Sequence, residues 1–204
     1  MTIVLSTGAW AEQITIAALG DSLTQGFGLP LEQGFVPQLE GWLDGQGHDV
    51  ALINAGVSGD TTAGGLSRIG WTLTDEVDAL IVALGGNDML RGIDPAVARA
   101  NLDGILTVAG KAGLPVLLVG MQAPANYGPD YKAAFDAMYP ELAESHGVML
   151  HADFLGALAA LGDRDFVLQT YMQPDAIHPN ARGVALIVDD IGPSVAALLA
   201  EVAQ

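Results

Sequence analysis

Five short apolar runs, at residues 14–19, 50–54, 79–84, 115–121 and 148–151, recur along the chain with stretches of helical pattern between them. That alternation is the rhythm of βαβ units. A strand buried on one face alternates apolar and polar residues, whereas a strand covered on both faces does not, so these continuous runs point to a parallel sheet wrapped by helices. The expected fold class is α/β, a three-layer αβα sandwich around a five-stranded parallel sheet. With 204 residues, half of them apolar, the chain can bury one sizeable core, and no repeat or linker divides it.

Capping residues punctuate the helical stretches. Asp94-Pro95 supplies an N-cap followed by proline at the first helical position, and Gly113 closes that helix before Pro115. A helix is expected over residues 131–146, ended by Gly147, and Asn180 is expected to cap a last helical region that Gly192-Pro193 should kink or break. Residues 1–11 stand apart: they are mostly apolar and small, and Ala9-Trp10-Ala11 matches a small-x-small cleavage pattern before Glu12. They read as a signal-peptide remnant or an N-terminal arm, with residues 12–204 as the domain and a periplasmic or secreted location as the expectation. No apolar run approaches the roughly 20 residues that span a bilayer, so no stable membrane insertion is expected.

Acidic residues outnumber basic ones by 24 to 7, for a net charge of -17, and the first basic residue is Arg68. Such a chain repels nucleic acid and anionic membrane surfaces. The absence of cysteine excludes disulfides, thiolate nucleophiles and cysteine metal sites.

In open parallel sheets, ligands bind outside the carboxyl ends of the strands, so the loops after the apolar runs are the place to look for chemistry. After the first run comes Gly20-Asp21-Ser22-Leu23, after the second Asn54 to Asp60, after the third Gly85-Gly86-Asn87-Asp88, and near the C-terminus Asp175-Ala176-Ile177-His178-Pro179-Asn180. Serine needs a base to become a nucleophile, and histidine suits that task near neutrality. Ser22 and His178 supply the pair, and Asp175, three residues before the histidine, can hold its far nitrogen. Acyl transfer also needs donors aimed at the developing oxyanion. The backbone N–H groups of Ser22 and Gly59 and the side-chain amide of Asn87 are the candidates. Asn87 and Gly59 also have plainer uses, as a bridge between loops and as a turn residue, and Asp60 and Asp88 read as loop braces.

These blocks resemble the SGNH, or GDSL, hydrolases. The serine of that family falls on Ser22 in GDSL, its glycine on Gly59, its asparagine on Asn87 in GGND, and its histidine on His178 in the D-x-x-H segment with Asp175. Within that family the chain resembles in particular the bacterial periplasmic thioesterase/lysophospholipase/arylesterase branch, through GDSLTQGFGL, NAGVSGDTTAGGL, LGGNDMLRG, PANYG and DAIHPN. The resemblance implies a flavodoxin-like sheet, a serine esterase acting on small acyl esters or thioesters and on lysophospholipids through an acyl-enzyme, no metal or organic cofactor, and a mobile loop over residues 89–93.

Several residues compete with this reading or extend it. His151, at the end of the last run, is a rival base without an adjacent partner pattern, while His48 and His146 precede strands and read as solvated surface residues. Phe27, Leu29, Leu90, Met121, Tyr127, Phe154 and Met172 stand near strand ends and divide between pocket and core; Leu90, Tyr127 and Phe154 are the candidate substrate contacts. Trp10, Trp42 and Trp71 read as core or arm residues. An FMN-binding electron carrier shares the strand rhythm and the acidity, but Asp21 would set a carboxylate beside the flavin phosphate. The α/β-hydrolase pattern G-x-S-x-G is absent, with Thr24 where its second glycine would stand. A carbohydrate deacetylase of the same superfamily is the alternative function.

Overall fold

The computed structural model describes residues 13–202, so the expected signal remnant and Trp10 lie outside the described residues. Strands β1 (Ile14–Gly20), β2 (Val50–Gly56), β3 (Ala79–Ala83), β4 (Val116–Val119) and β5 (Met149–His151) form one parallel sheet in the order β2-β1-β3-β4-β5. All five apolar runs became strands, with ends shifted by two residues or fewer. Between and after them run α1 (Ser22–Gln25), α2 (Phe35–Gly45), α3 (Thr62–Thr72), α4 (Gly86–Leu90), α5 (Pro95–Lys111), α6 (Pro129–His146), α7 (Gly156–Ala159), α8 (Arg164–Tyr171) and α9 (Ala181–Val202). Helices α2 and α9 pack together on one face of the sheet, and α3, α5 and α6 pack in series on the other. This is the flavodoxin-like order, and its switch point lies between β1 and β3, where successive connections leave in opposite directions.

Burial follows position in the sheet. Every residue of β3 and β4 is buried, as are Ile16 to Gly20 of β1, because helices cover both faces there. The edge strands differ: β2 buries only Val50 and leaves Ile53 exposed, and no residue of β5 is fully buried. The expectation of two covered faces therefore holds for the three central strands.

The caps fall where the side chains demand them. Asp94 Oδ1 accepts from Ala96 N at the start of α5, Gly147 ends α6 in the left-handed conformation, and Asn180 Oδ1 accepts from Arg182 N and Gly183 N at the start of α9. Gly192-Pro193 does not break α9, which runs through it for 22 residues. Proline removes one rung of the helix ladder, but Pro193 lies on the exposed side, and Gly192 packs so closely on Trp42 that a Cβ would lie 2.7 Å from its ring. Packing holds the helix together. By length and composition α9 would suffice to cross a membrane, although Asp189 and Asp190 interrupt its apolar sequence, and Val184, Ile187, Val188, Ile191, Val195 and Leu198 form its buried stripe against the sheet.

Two surface assignments change. Trp71 is 87% exposed rather than core. His146 is not simply solvated: its Nε2 lies 2.8 Å from Asp103 Oδ1, linking α6 to α5.

Candidate active site

The turn after β1 is tight because two glycines allow it. A Cβ on Gly20 would overlap Thr24 Oγ1, and one on Gly56 would overlap Gln25 N and lie 2.7 Å from Gln25 Cα. Helix α1 thus sits directly against the ends of β1 and β2. Asp21 caps it, its Oδ1 accepting from Leu23 N at 3.0 Å, and Ser22 occupies the first helical position beside the switch point.

Arg68, reaching back from α3, fixes the neighbouring strand ends. Its guanidinium donates to Asp60 Oδ2 at 2.7 Å, to the Ala55 carbonyl at 2.7 Å and to the Gly20 carbonyl at 2.8 Å. One buried-edge cation thereby holds the exits of β1 and β2 and the loop that carries Gly59.

The D-x-x-H segment faces Ser22 across the crevice. Ser22 Oγ donates to His178 Nε2 at 2.9 Å, and His178 Nδ1 donates to Asp175 Oδ2 at 2.6 Å; a single tautomer, with the proton on Nδ1, satisfies both. Asp175 Oδ1 accepts from the backbone N–H groups of Ile177 and His178, each at 3.0 Å. That double acceptance requires a sharp turn, and Ala176 makes it with φ of 58°. The backbone N–H of His178, with the imidazole and Ile177 N–H adding to it, holds the Asp175 carboxyl down at about 2. It is ionised wherever an imidazolium would need it.

Gln173 anchors this segment. Its amide donates to the Phe27 carbonyl at 2.8 Å and the Pro179 carbonyl at 3.0 Å, and its backbone N–H donates to the His178 carbonyl at 2.8 Å. Phe27 in turn packs its ring on the imidazole, centroids 4.7 Å apart.

Three donors border the same crevice. Ser22 at the first position of α1 has no intrahelical acceptor for its N–H, and the N–H of Gly59, a residue at φ of 80°, meets no acceptor among the described residues. Asn87 donates one of its two amide protons to Asp21 Oδ2 at 3.1 Å, which leaves the other for a ligand. Asp21 is 3% exposed, and burial pushes its carboxyl up to about 6 against the opposing hydrogen bonds from Leu23 and Asn87. Arg91 donates to the Gly59 carbonyl at 2.5 Å, tying the segment after Asn87 to the Gly59 turn. Asp88, 1% exposed, accepts from both Thr62 N and Thr62 Oγ1, so it braces the loops as expected. Asp60 does the same through Arg68.

A cavity of about 450 Å³ opens over these groups. Ser22, Gly59, Asn87 and His178 all line it, with Phe27, Leu90, Met121 and Met172 among its apolar walls. Leu90, a candidate substrate contact, thus stands in the wall of this cavity. Tyr127 is not in this wall: it stacks on Tyr131, centroids 5.0 Å apart, at the foot of α6. Phe154 is not in it either: it is 2% exposed, packs on Phe35, and lines a smaller space that Ser22 and His178 also border. Leu23, Met89, Leu155 and Ile177 line it without having been singled out from the sequence. His151, the rival base, lies elsewhere, with Ser194 Oγ at 3.2 Å and Asp190 Oδ2 at 3.5 Å. Among the described residues no group of three or more His, Cys, Asp or Glu side chains is arranged to hold a metal ion.

The sequence model of the GDSL-like Lipase/Acylhydrolase family matches residues 18–186. The chain belongs to that family. This family member is 38% identical to esterase TesA of Pseudomonas aeruginosa over 200 residues, covering 98% of this chain and 96% of the relative. It is 34% identical to thioesterase 1/protease 1/lysophospholipase L1 of Escherichia coli K12 over 188 residues, 92% of this chain and 86% of the relative. Among solved structures it is similar to AlinE4, an SGNH-hydrolase family esterase, with a TM-score of 0.74 and 43% identity over 94% of this chain and 99% of that one. The GDSL-family chain is a serine esterase, and its substrates are esters. The likeness to esterases supports neither the flavin carrier nor the deacetylase.

Proposed function

We propose that Ser22 is the nucleophile of this esterase, His178 its general base and acid, and Asp175 the group that orients the imidazole. The observation that carries this reading is the unbroken chain from Ser22 Oγ to His178 Nε2 and from His178 Nδ1 to Asp175 Oδ2, at 2.9 and 2.6 Å, opening into a largely apolar cavity. His178 takes the hydroxyl proton as Ser22 Oγ attacks the ester carbonyl, and Asp175 stabilises the resulting imidazolium. The carbonyl oxygen becomes an oxyanion held by Ser22 N–H, Gly59 N–H and the second amide proton of Asn87. The tetrahedral intermediate collapses as His178 returns the proton to the leaving oxygen, giving alcohol and acyl-Ser22. Water, deprotonated by His178, then releases the acid and restores the serine.

Leu90, with the other apolar walls, supports a substrate whose acyl part is hydrocarbon. Thioesters have the same carbonyl geometry and fit the same steps. The export reading of residues 1–11 rests on Ala9-Trp10-Ala11, and N-terminal sequencing of the protein recovered from an expressing cell would test it. For the site itself, Ser22→Ala and His178→Ala should each abolish hydrolysis of p-nitrophenyl butyrate with the fold intact, while His151→Ala should leave most of it. Loss in His151→Ala with retention in His178→Ala would transfer the base to His151.

A further inference from the structure

A second cavity, of about 360 Å³, lies between α7 and α8. Leu155, Leu158, Val167, Leu168 and Met172 line it, and Asp163 and Arg164 are the charged residues at its wall. Two of these, Leu155 and Met172, also stand in the wall of the cavity over Ser22. The two spaces therefore abut, separated by one leucine and one methionine. Leu155 is the residue from which α7 starts and Met172 the one at which α8 stops, so the segment between them hangs from the rim of the active site. Methionine is unbranched and has several rotatable bonds, which suits it to yield to a chain passing over it.

We propose that this α7–α8 cavity receives the distal methylenes of long acyl chains whose carbonyl lies at Ser22. The assignment rests on the nucleophilic role of Ser22 argued above. Val167 and Leu168 are only partly buried, so a hydrocarbon tail laid against them would remove apolar surface from water, whereas a sugar or a nucleotide would find few hydrogen-bonding partners there. The shared wall points to the occupant: a tail extending from Ser22 past Leu155 and Met172 comes to the second cavity. The acyl side is assigned because the acyl chain is present at Ser22 in both halves of the reaction, whereas the alcohol leaves after the first.

The test compares p-nitrophenyl butyrate with p-nitrophenyl decanoate in wild type and in Leu168→Trp, which narrows the second cavity from a partly exposed position on α8. The decanoate kcat/KM should fall by about ten-fold or more while butyrate stays within about two-fold, since only the longer chain loses buried methylenes. The butyrate rate doubles as the check on folding. If it collapses, Leu168→Ala, which widens the cavity, replaces the first variant and should move the preferred chain length upward. An unchanged ratio of decanoate to butyrate in both variants would overturn the proposal. So would sensitivity of decyl acetate, which carries its chain on the leaving group, in place of decanoate. Failure of the Ser22 reading would look different: butyrate turnover would survive Ser22→Ala.

Discussion

Asn87 donates to Asp21 Oδ2 at 3.1 Å, so the amide proposed to hold the oxyanion is itself held by a buried carboxylate adjoining Ser22, the proposed nucleophile. The arrangement turns one Asn87 proton toward Asp21 and frees the other for the reacting carbonyl. Replacing the carboxylate by an amide in Asp21→Asn sets a donor against the Asn87 donor, and Asn87 should turn its oxygen inward to match. The predicted result is a fall in kcat of about ten-fold or more with little change in KM, measured on a neutral ester. An unchanged kcat would show that Asp21 acts only as the α1 cap.

The same carboxylate predicts a pH-dependent stability. Asp21 titrates at about 6 in the folded chain against an ordinary 3.8, so the folded state binds its proton more tightly than the unfolded one. Its contribution favours folding below about 4 and is lost as pH rises through about 6, after which the buried charge costs about 3 kcal/mol relative to the neutral acid. Asp21→Asn should therefore gain stability relative to wild type by about 3 kcal/mol as pH rises from about 4 to 8, on top of a loss of hydrogen bonds that is the same at both pH values. Denaturant titrations at the two pH values measure it. Asp175 has the opposite sign: its carboxyl lies at about 2, so the stability it lends is present above about 4 and lost as pH falls toward 2.

Asn87→Ala removes the donor itself. Loss of one oxyanion donor lowers kcat by about 10²- to 10³-fold with KM nearly unchanged, and steady-state kinetics on butyrate should show that pattern. A rate within a few-fold of wild type would remove Asn87 from the oxyanion hole.

The charge of -17 separates substrates that share one acyl group. Acyl-coenzyme A thioesters carry several negative charges into a negative field, while p-nitrophenyl esters do not. Salt screens exposed charges over about 10 Å at 0.1 M and about 3 Å at 1 M, so kcat/KM for the thioester should rise with salt relative to the matched neutral ester. A thioester rate that falls steeply with salt would mean that a local cation, with Arg91 at the Gly59 turn the nearest candidate, outweighs the global field.

The central strands, the caps at Asp94, Gly147 and Asn180, and the residues of the proposed triad were legible because each depends on a local pattern: an apolar run, a capping side chain, a D-x-x-H spacing. Arg68 and Gln173 were not. Their bonds go to backbone carbonyls as far as 48 and 146 residues away, which leaves no periodicity or spacing to read. Tyr127 and Phe154 stand outside the larger cavity over Ser22 for a related reason. An apolar residue near a strand end points into the core or into the crevice according to the turn that follows, and the turn after β5 sends Phe154 inward against Phe35 while Leu155 faces the cavity. The persistence of α9 through Pro193 likewise depends on tertiary packing, the seat of Gly192 on Trp42, which overrides the local preference to break.

Covalent labelling tests the central claim most directly. An alkyl p-nitrophenyl phosphonate presents a tetrahedral phosphoryl centre to the proposed nucleophile and releases nitrophenol as the serine oxygen bonds to phosphorus. Peptide mass spectrometry of the inactivated protein should find one phosphonyl group per chain, on the peptide containing Ser22, and Ser22→Ala should take up none. Stoichiometric labelling of Ser58, Ser67 or Ser194, with inactivation, would contradict the account.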